Sequence, residues 1–139
     1  MKGMWLLMSE LNEFSLTLLA SEEVDLQNGD GKTVVYTVPV GKSMIPFCVV
    51  IRTPSGTLAG GTDFDIGSGA NADTWKQTND LSALTAVTDY KVITDLAKHT
   101  IEVAGAEFGI KPVTGAAADV TATMDLYGYL FLEFICLIY

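Results

Sequence analysis

Alternation of apolar and polar residues runs through most of this chain at a period of two, the spacing of a half-buried β-strand. In Glu13–Leu18 the apolar positions are Phe14, Leu16 and Leu18, which are expected to face a core. Ser21–Asp25 reads as an exposed link, and Asn28-Gly29-Asp30-Gly31 as a turn, since Asn-Gly and Asp-Gly tolerate positive φ. Thr33–Val38 is rich in β-branched residues and predicts a strand that Pro39–Lys42 breaks.

The stretch Ile45–Trp75 is the expected centre of the fold. Ile45, Phe47, Val49 and Ile51 alternate, Thr53-Pro54-Ser55-Gly56 turns, and Thr62–Gly67 forms a second extended piece. A loop rich in Gly, Ala and Asn then closes on the aromatic anchor Trp75. Further on, Asn79 or Asp80 is positioned to cap a helix of one to two turns through Leu81, Leu84 and Val87. Tyr90–Ile93 and Thr100–Val103 predict strands, with Ala104-Gly105-Ala106 as a break. Phe108–Val113 is expected at a sheet edge because Pro112 has no N–H to give a ladder. In the last strand Val120, Ala122, Met124 and Leu126 form one face and Thr121, Thr123 and Asp125 the other. From Tyr127 onward both faces are apolar, which calls for cover on both sides.

These elements predict an all-β fold, a β-sandwich or jelly roll of about eight strands with one short helix. Residues 1–12 read as an N-terminal leader or arm, and residues 13–139 as a single β-sandwich domain. The leader Met4-Trp5-Leu6-Leu7-Met8 has the charge order of a signal peptide but too short an apolar core, and Met8 is an alternative start.

Composition sharpens the picture. Apolar residues make up 49% of the chain and the mean hydropathy is +0.34, high for a soluble monomer. No run reaches the roughly 18 to 20 apolar residues that cross a bilayer, so burial in an assembly is the favoured cause and no membrane is predicted. Seventeen acids against eight Lys and Arg give a net charge of −9, with the cations scattered singly. Nucleic acid is therefore not a predicted partner, because phosphate neutralisation needs local positive charge. Cys48 and Cys136 lie in apolar runs without metal-like spacing and read as two buried free thiols, with a disulfide between them as the less favoured alternative.

Candidate chemistry is sparse. His99 is the single histidine, and no G-x-S-x-G elbow, P-loop or H-E-x-x-H accompanies it, so no catalytic residue is assigned and an enzyme is not expected. Asp63, Asp65, Asn71 and Asp73 gather oxygen ligands of the kind calcium takes, and Asp25, Asn28 and Asp30 a smaller set. Neither has the EF-hand order, so solvated Asx-type turns are preferred and no metal or cofactor is assigned. Asp63, Asp65, Asn71, Asp73 and Trp75 are carried forward as an interaction loop. Trp5, Trp75 and the tyrosines also offer stacking faces for a glycan, the alternative use of the same scaffold.

Thr37–Lys42, Val50–Gly56, Leu58–Phe64 and Asn71–Trp75, with Ile110-Lys111-Pro112 and Ala122–Phe131, together resemble small virion proteins of tailed bacteriophages and prophages. The likeness spans about Phe14 to Phe131 and leaves out the leader and the tail. It implies a jelly-roll subunit of the head decoration (cement) or fibre-base type, located in the virion and without cofactor. The implied partners are itself, as a homotrimer, and a major capsid or other virion protein. The alternative is a receptor- or carbohydrate-binding module of a fibre. Leu126, Tyr127, Tyr129, Phe131 and Phe134 are the expected oligomer contacts. Removal of residues 133–139 is accordingly expected to lower the oligomeric state, measured by light scattering; an unchanged mass would refute that role for the tail.

Overall fold

The computed structural model describes residues 15–132. They form eight strands: β1 (Thr17–Asp25), β2 (Thr33–Thr37), β3 (Lys42–Arg52), β4 (Asp63–Gly67), β5 (Lys76–Asn79), β6 (Tyr90–Thr94), β7 (Glu107–Thr114) and β8 (Thr121–Leu132). One sheet has the order β1-β8-β3-β6 and the other β2-β7-β4-β5. Every pairing is antiparallel. Strand 1 pairs with 8, 2 with 7, 3 with 6 and 4 with 5, as in a long hairpin rolled up on itself. Two further pairings, β3 with β8 and β4 with β7, join those couples into sheets.

The sheets meet over one core. Phe64 and Ile66 of β4 and Phe108 and Ile110 of β7 lie on one side, and Met44, Val49, Ile51, Met124 and Leu126 of β3 and β8 on the other, all fully buried. Leu26, Leu58 and Leu81 close the core from the loops. The predicted inward face of β8 is the observed one: Val120, Ala122, Met124 and Leu126 are all buried.

The structure departs from the sequence expectations in several places, each with a local cause. No helix occurs among the described residues, and 80–89 is a chain of turns. The Asp80 carboxylate accepts from the Ser82 N–H and Oγ, and the Asp89 carboxylate from the N–H groups of Thr85 and Ala86. The Leu84 carbonyl is taken by Leu58 N–H at 2.8 Å. Side-chain acceptors and a distant amide thus compete with the i to i−4 ladder a helix needs. Leu81 and Leu84 are buried as expected, but Val87 is exposed.

Strand β3 does not hold one phase. Ile45 and Phe47 were expected to share a face with Val49 and Ile51, yet Met44 and Pro46 point inward before the strand slips. A bulge between Pro46 and Cys48, with Phe47 as the extra residue, restores Val49 and Ile51 to the core. Strand β1 slips in the same way between Leu18 and Ala20. Leu16 and Leu18, expected inside, are therefore about half exposed, while Val24 is fully buried. Phe14 lies outside the described residues. The acidic Ser21–Asp25 segment is not a link but the far half of β1, where an edge strand tolerates polar residues on both faces.

Strand β7 is interior rather than an edge. Its ladder with β2 ends at Thr33 and Ile110, and its register with β4 is irregular beside Phe64 and Pro112. Pro112 therefore sits beyond the end of β2, where one side of β7 has no strand to receive an N–H. Thr100–Val103 forms no strand; only Glu102 bridges, to Met44. Phe64, fully buried between the sheets, gives a direct check of this core. Phe64→Ala is expected to destabilise the fold by about 3–5 kcal/mol, measured by urea unfolding.

Candidate interaction face

The two outer faces of the sandwich differ in kind. On the β2-β7-β4-β5 sheet the outward positions include Asp63, Asp65, Lys111 and Val113, alternating with buried Phe64, Ile66, Ile110 and Pro112. On the β1-β8-β3-β6 sheet, register places Tyr127 beside Cys48, Asp125 beside Val50, and Val50 in turn beside Val92. Tyr129 pairs with Ile45, and Arg52 with Tyr90. That face is therefore aliphatic and aromatic over β3, β6 and the Tyr127–Tyr129 part of β8, with the Arg52–Asp125 ion pair beside it and Glu23, Asp25, Thr121 and Thr123 as a polar corner where β1 meets β8.

The ion pair is built by three strands. Arg52 Nε donates to Asp125 Oδ2 at 2.7 Å and Nη2 to Oδ1 at 3.3 Å, a bidentate geometry. Ser21 Oγ donates to Asp125 Oδ1 at 2.6 Å from β1. Asp125 is nearly buried while the Arg52 side chain is 44% exposed. Burial pushes the Asp125 carboxyl up, but the hydrogen bonds from Arg52 and Ser21 and the guanidinium charge outweigh it and hold it below its ordinary value. The same pair raises Arg52.

Bulges shape the other end of the face. Leu19 on β1 and Phe47 on β3 are the extra residues on the two strands flanking Tyr127. Phe47 meets the Tyr129 ring edge-on, with centroids 6.1 Å apart. Gly128 sits between the bulges because an added Cβ would come 2.6 Å from the Ile45 carbonyl oxygen. Beside Phe47 lies a hollow of about 250 Å³ walled by Ile45, Pro46, Phe47, Leu96, His99 and Ile101.

Of the expected contacts, Tyr127 and Tyr129 lie on this face, half-buried, and Phe131 is almost wholly buried at the end of β8. Leu126 points into the core and is a packing residue of this chain. Phe134 lies outside the described residues. The expected interaction loop does not converge. Asp63 and Asp65 belong to the outer face of the second sheet, where Asp65 Oδ1 accepts from Thr78 N–H at 3.0 Å. Asn71 and Asp73 are exposed in the loop between β4 and β5, and Asn71 Oδ1 accepts from Lys111 Nζ at 3.1 Å. Among the described residues no three of His, Cys, Asp and Glu are grouped to hold a metal ion. Trp75 is a core anchor against Phe108, its ring centroid 6.0 Å away, with His99 on another side at 6.4 Å. It offers no open stacking face.

One polar centre had no signal in the sequence. Glu102, 5% exposed, accepts from Ser68 Oγ and Thr74 Oγ1, each at 2.6 Å, so both ends of the Gly/Ala/Asn-rich loop are tied to one carboxylate. Its backbone exchanges both hydrogen bonds with Met44, at 2.8 and 2.9 Å. The flanking Ile101 and Val103 are 45% and 57% exposed, the reverse of what their alternation predicts. His99 Nε2 lies 3.2 Å from Asp95 Oδ1, which closes the same region.

No protein family and no curated protein matches the sequence. Among solved structures, a chain of the acid-stable capsid structure of Helicobacter pylori bacteriophage KHP30 is similar, at 9% identity and a TM-score of 0.47, over 83% of this chain and 91% of that one.

The ion pair has a pH signature. Because the folded pKa of Asp125 lies below its ordinary 3.8, the unfolded chain binds the extra proton first. The stabilisation is therefore complete above about pH 4 and is lost as pH falls through the folded value. Asp125→Asn is expected to cost about 1–2 kcal/mol at pH 7, discounted because Arg52 is partly solvated. The difference from wild type should shrink below pH 4, followed by thermal melts across pH; a constant gap would contradict this assignment.

Proposed function

We propose that this chain is a structural protein of a bacteriophage or prophage virion, a jelly-roll subunit that decorates and stabilises the head through non-covalent contacts as a homo-oligomer. The observation that carries the proposal is the outer face of the β1-β8-β3-β6 sheet. It presents half-exposed Tyr127, Tyr129, Val50 and Cys48 with exposed Ile45, Val92 and Tyr90, and its Arg52–Asp125 charges are already paired. Glu23 and Asp25 of β1 stand on the same face beside Thr123 and Thr121, so its unpaired charge is confined to that corner and the part over β8, β3 and β6 is an apolar patch suited to contact with protein.

The strand order supports the jelly-roll reading. Of the seven connections between consecutive strands, all but the one from β4 to β5 pass from one sheet to the other, as in paired Greek keys. The sequence resemblance to phage virion proteins supplies the virion setting, and with it the major capsid protein as partner and three-fold symmetry as the implied assembly. The fibre-module alternative loses its strongest argument with Trp75 inside the core.

Added to expanded capsids of the phage that encodes it, the protein is expected to bind and to raise their disruption temperature, read by cosedimentation and differential scanning fluorimetry. Tyr129→Glu, which places a charge on the apolar face, is expected to abolish binding. Failure of the wild-type protein to bind, with retention of a glycan on an array, would replace decoration by the receptor-binding alternative.

A further inference from the structure

Phe131 is buried without belonging to the core. In the ladder between β3 and β8, Met44 pairs with Leu130 and turns inward, so the flanking pairs Ile45–Tyr129 and Ser43–Phe131 turn outward. Ile45 is 40% exposed, as an outward residue should be, yet Phe131 and Ser43 are only 5% and 6% exposed. Phe131 is as buried as the core residues but stands outside their cluster. The outer face is therefore covered at this end of the sheet. The ladder neighbours stop short of it: β6 ends at Thr94, opposite Cys48, and β1 begins at Thr17, opposite Gly128.

We propose that residues 4–14, the chain just before the described part, form an amphipathic helix that lies across Phe131 and Ser43 of the same molecule. The chain arrives at the right place. Continued in register, β1 would set Leu16 beside Tyr129, but Ser15 is a bend whose carbonyl accepts from Thr17 Oγ1 at 2.9 Å, so the chain leaves the ladder there. The inner side is filled by the core, and the open course runs over the outer face next to Phe131. The segment also has the right pattern. Met4, Leu7, Met8, Leu11 and Phe14 fall at i, i+3, i+4, i+7 and i+10, one face of a helix, with Ser9, Glu10, Asn12 and Glu13 around the rest. A helix satisfies its own backbone, which an unpaired extended segment on a sheet face cannot. At 1.5 Å per residue it is about 16 Å long. That matches the roughly 14 Å of three strand spacings from the line of β1 across β8 and β3 to the segment that bridges Met44 through Glu102. Residues 133–139 fit poorly, because they would have to reverse direction at Leu132 and bring Glu133 over the ring. The cover takes only this end of the face and leaves Tyr127, Val50, Val92 and Tyr90 to a partner. It does not rest on the virion reading, since it concerns the isolated chain.

Hydroxyl-radical footprinting of the purified full chain tests this, with mass spectrometry reading oxidation at Phe131 and at Tyr90, an exposed reference. Phe131 is expected to be protected in the wild type, to lose that protection on deletion of residues 2–14, and to keep it on deletion of residues 133–139. Leu7→Asp/Leu11→Asp puts charge on the apolar side of the helix and leaves the sandwich untouched. It is expected to give the same loss with unchanged circular dichroism, and Glu10→Gln/Glu13→Gln to give none. Protection that survives deletion of residues 2–14 or the double aspartate change, or that is lost on deletion of residues 133–139, would overturn the proposal. Protection that fades on dilution, in step with a falling mass by light scattering, would assign the helix to a neighbouring copy and overturn it as well.

Discussion

Strand β8 bonds to β1 along one edge and to β3 along the other, and the inner and outer faces of its sheet are both set by that double pairing. Its inward residues supply Met124 and Leu126 to the core, and its outward residues supply Asp125, Tyr127 and Tyr129 to the face. A residue shift in either neighbour would turn one set into the other. The bulges in β1 and β3 flank Tyr127, so both neighbours change phase next to the same residue. That coincidence keeps the outer face continuous across the slip and turns Phe47 outward onto Tyr129.

Electrostatics follows from the same geometry. Arg52 and Asp125 occupy adjacent strands at positions where a lone charge would disrupt an apolar surface, and bidentate pairing removes that penalty. The opposite sheet has no such need. There Asp63, Asp65 and Lys111 are half-buried, Asp65 accepting from Thr78 N–H and Lys111 donating to Asn71 Oδ1. The division of labour is between the two outer faces, not between a loop and a scaffold.

Much of this was legible in the alternation of residues. The strands around Thr33–Thr37, Asp63–Gly67, Tyr90–Thr94 and Thr121–Leu132 follow from β-branched runs and turn signals, and the inward face of β8 was readable residue by residue. What failed depended on partners. Ile45, Phe47, Val49 and Ile51 alternate without a break, so nothing local announces that Phe47 is a bulge; only the register against β8 does. Leu81, Leu84 and Val87 have helical spacing, but Asp80 and Asp89 claim the amides first. Ile101 and Val103 look like inward residues, and Glu102 like an outward one, until Ser68 and Thr74 arrive from another loop to receive the carboxylate. The aromatic Trp75 was correctly placed as an anchor, whereas the acids around it are dispersed because they belong to a strand face and a turn.

The rolled pairing also dictates the order in which the chain can become a protein. Ser21 and Asp125, hydrogen-bonded neighbours, are 104 residues apart along the chain. β8 must enter between β1 and β3, and β7 between β2 and β4, so neither sheet is complete until the last quarter of the described chain is available. A nascent chain of six strands can pair β3 with β6 and β4 with β5, but β1 and β2 have no partner and the other edge of its apolar β3 is unfilled. Such non-local topologies fold slowly and expose sticky intermediates. Acidic residues concentrated in the early Ser21–Asp25 segment keep that waiting chain dispersed, a service rendered before the native state forms.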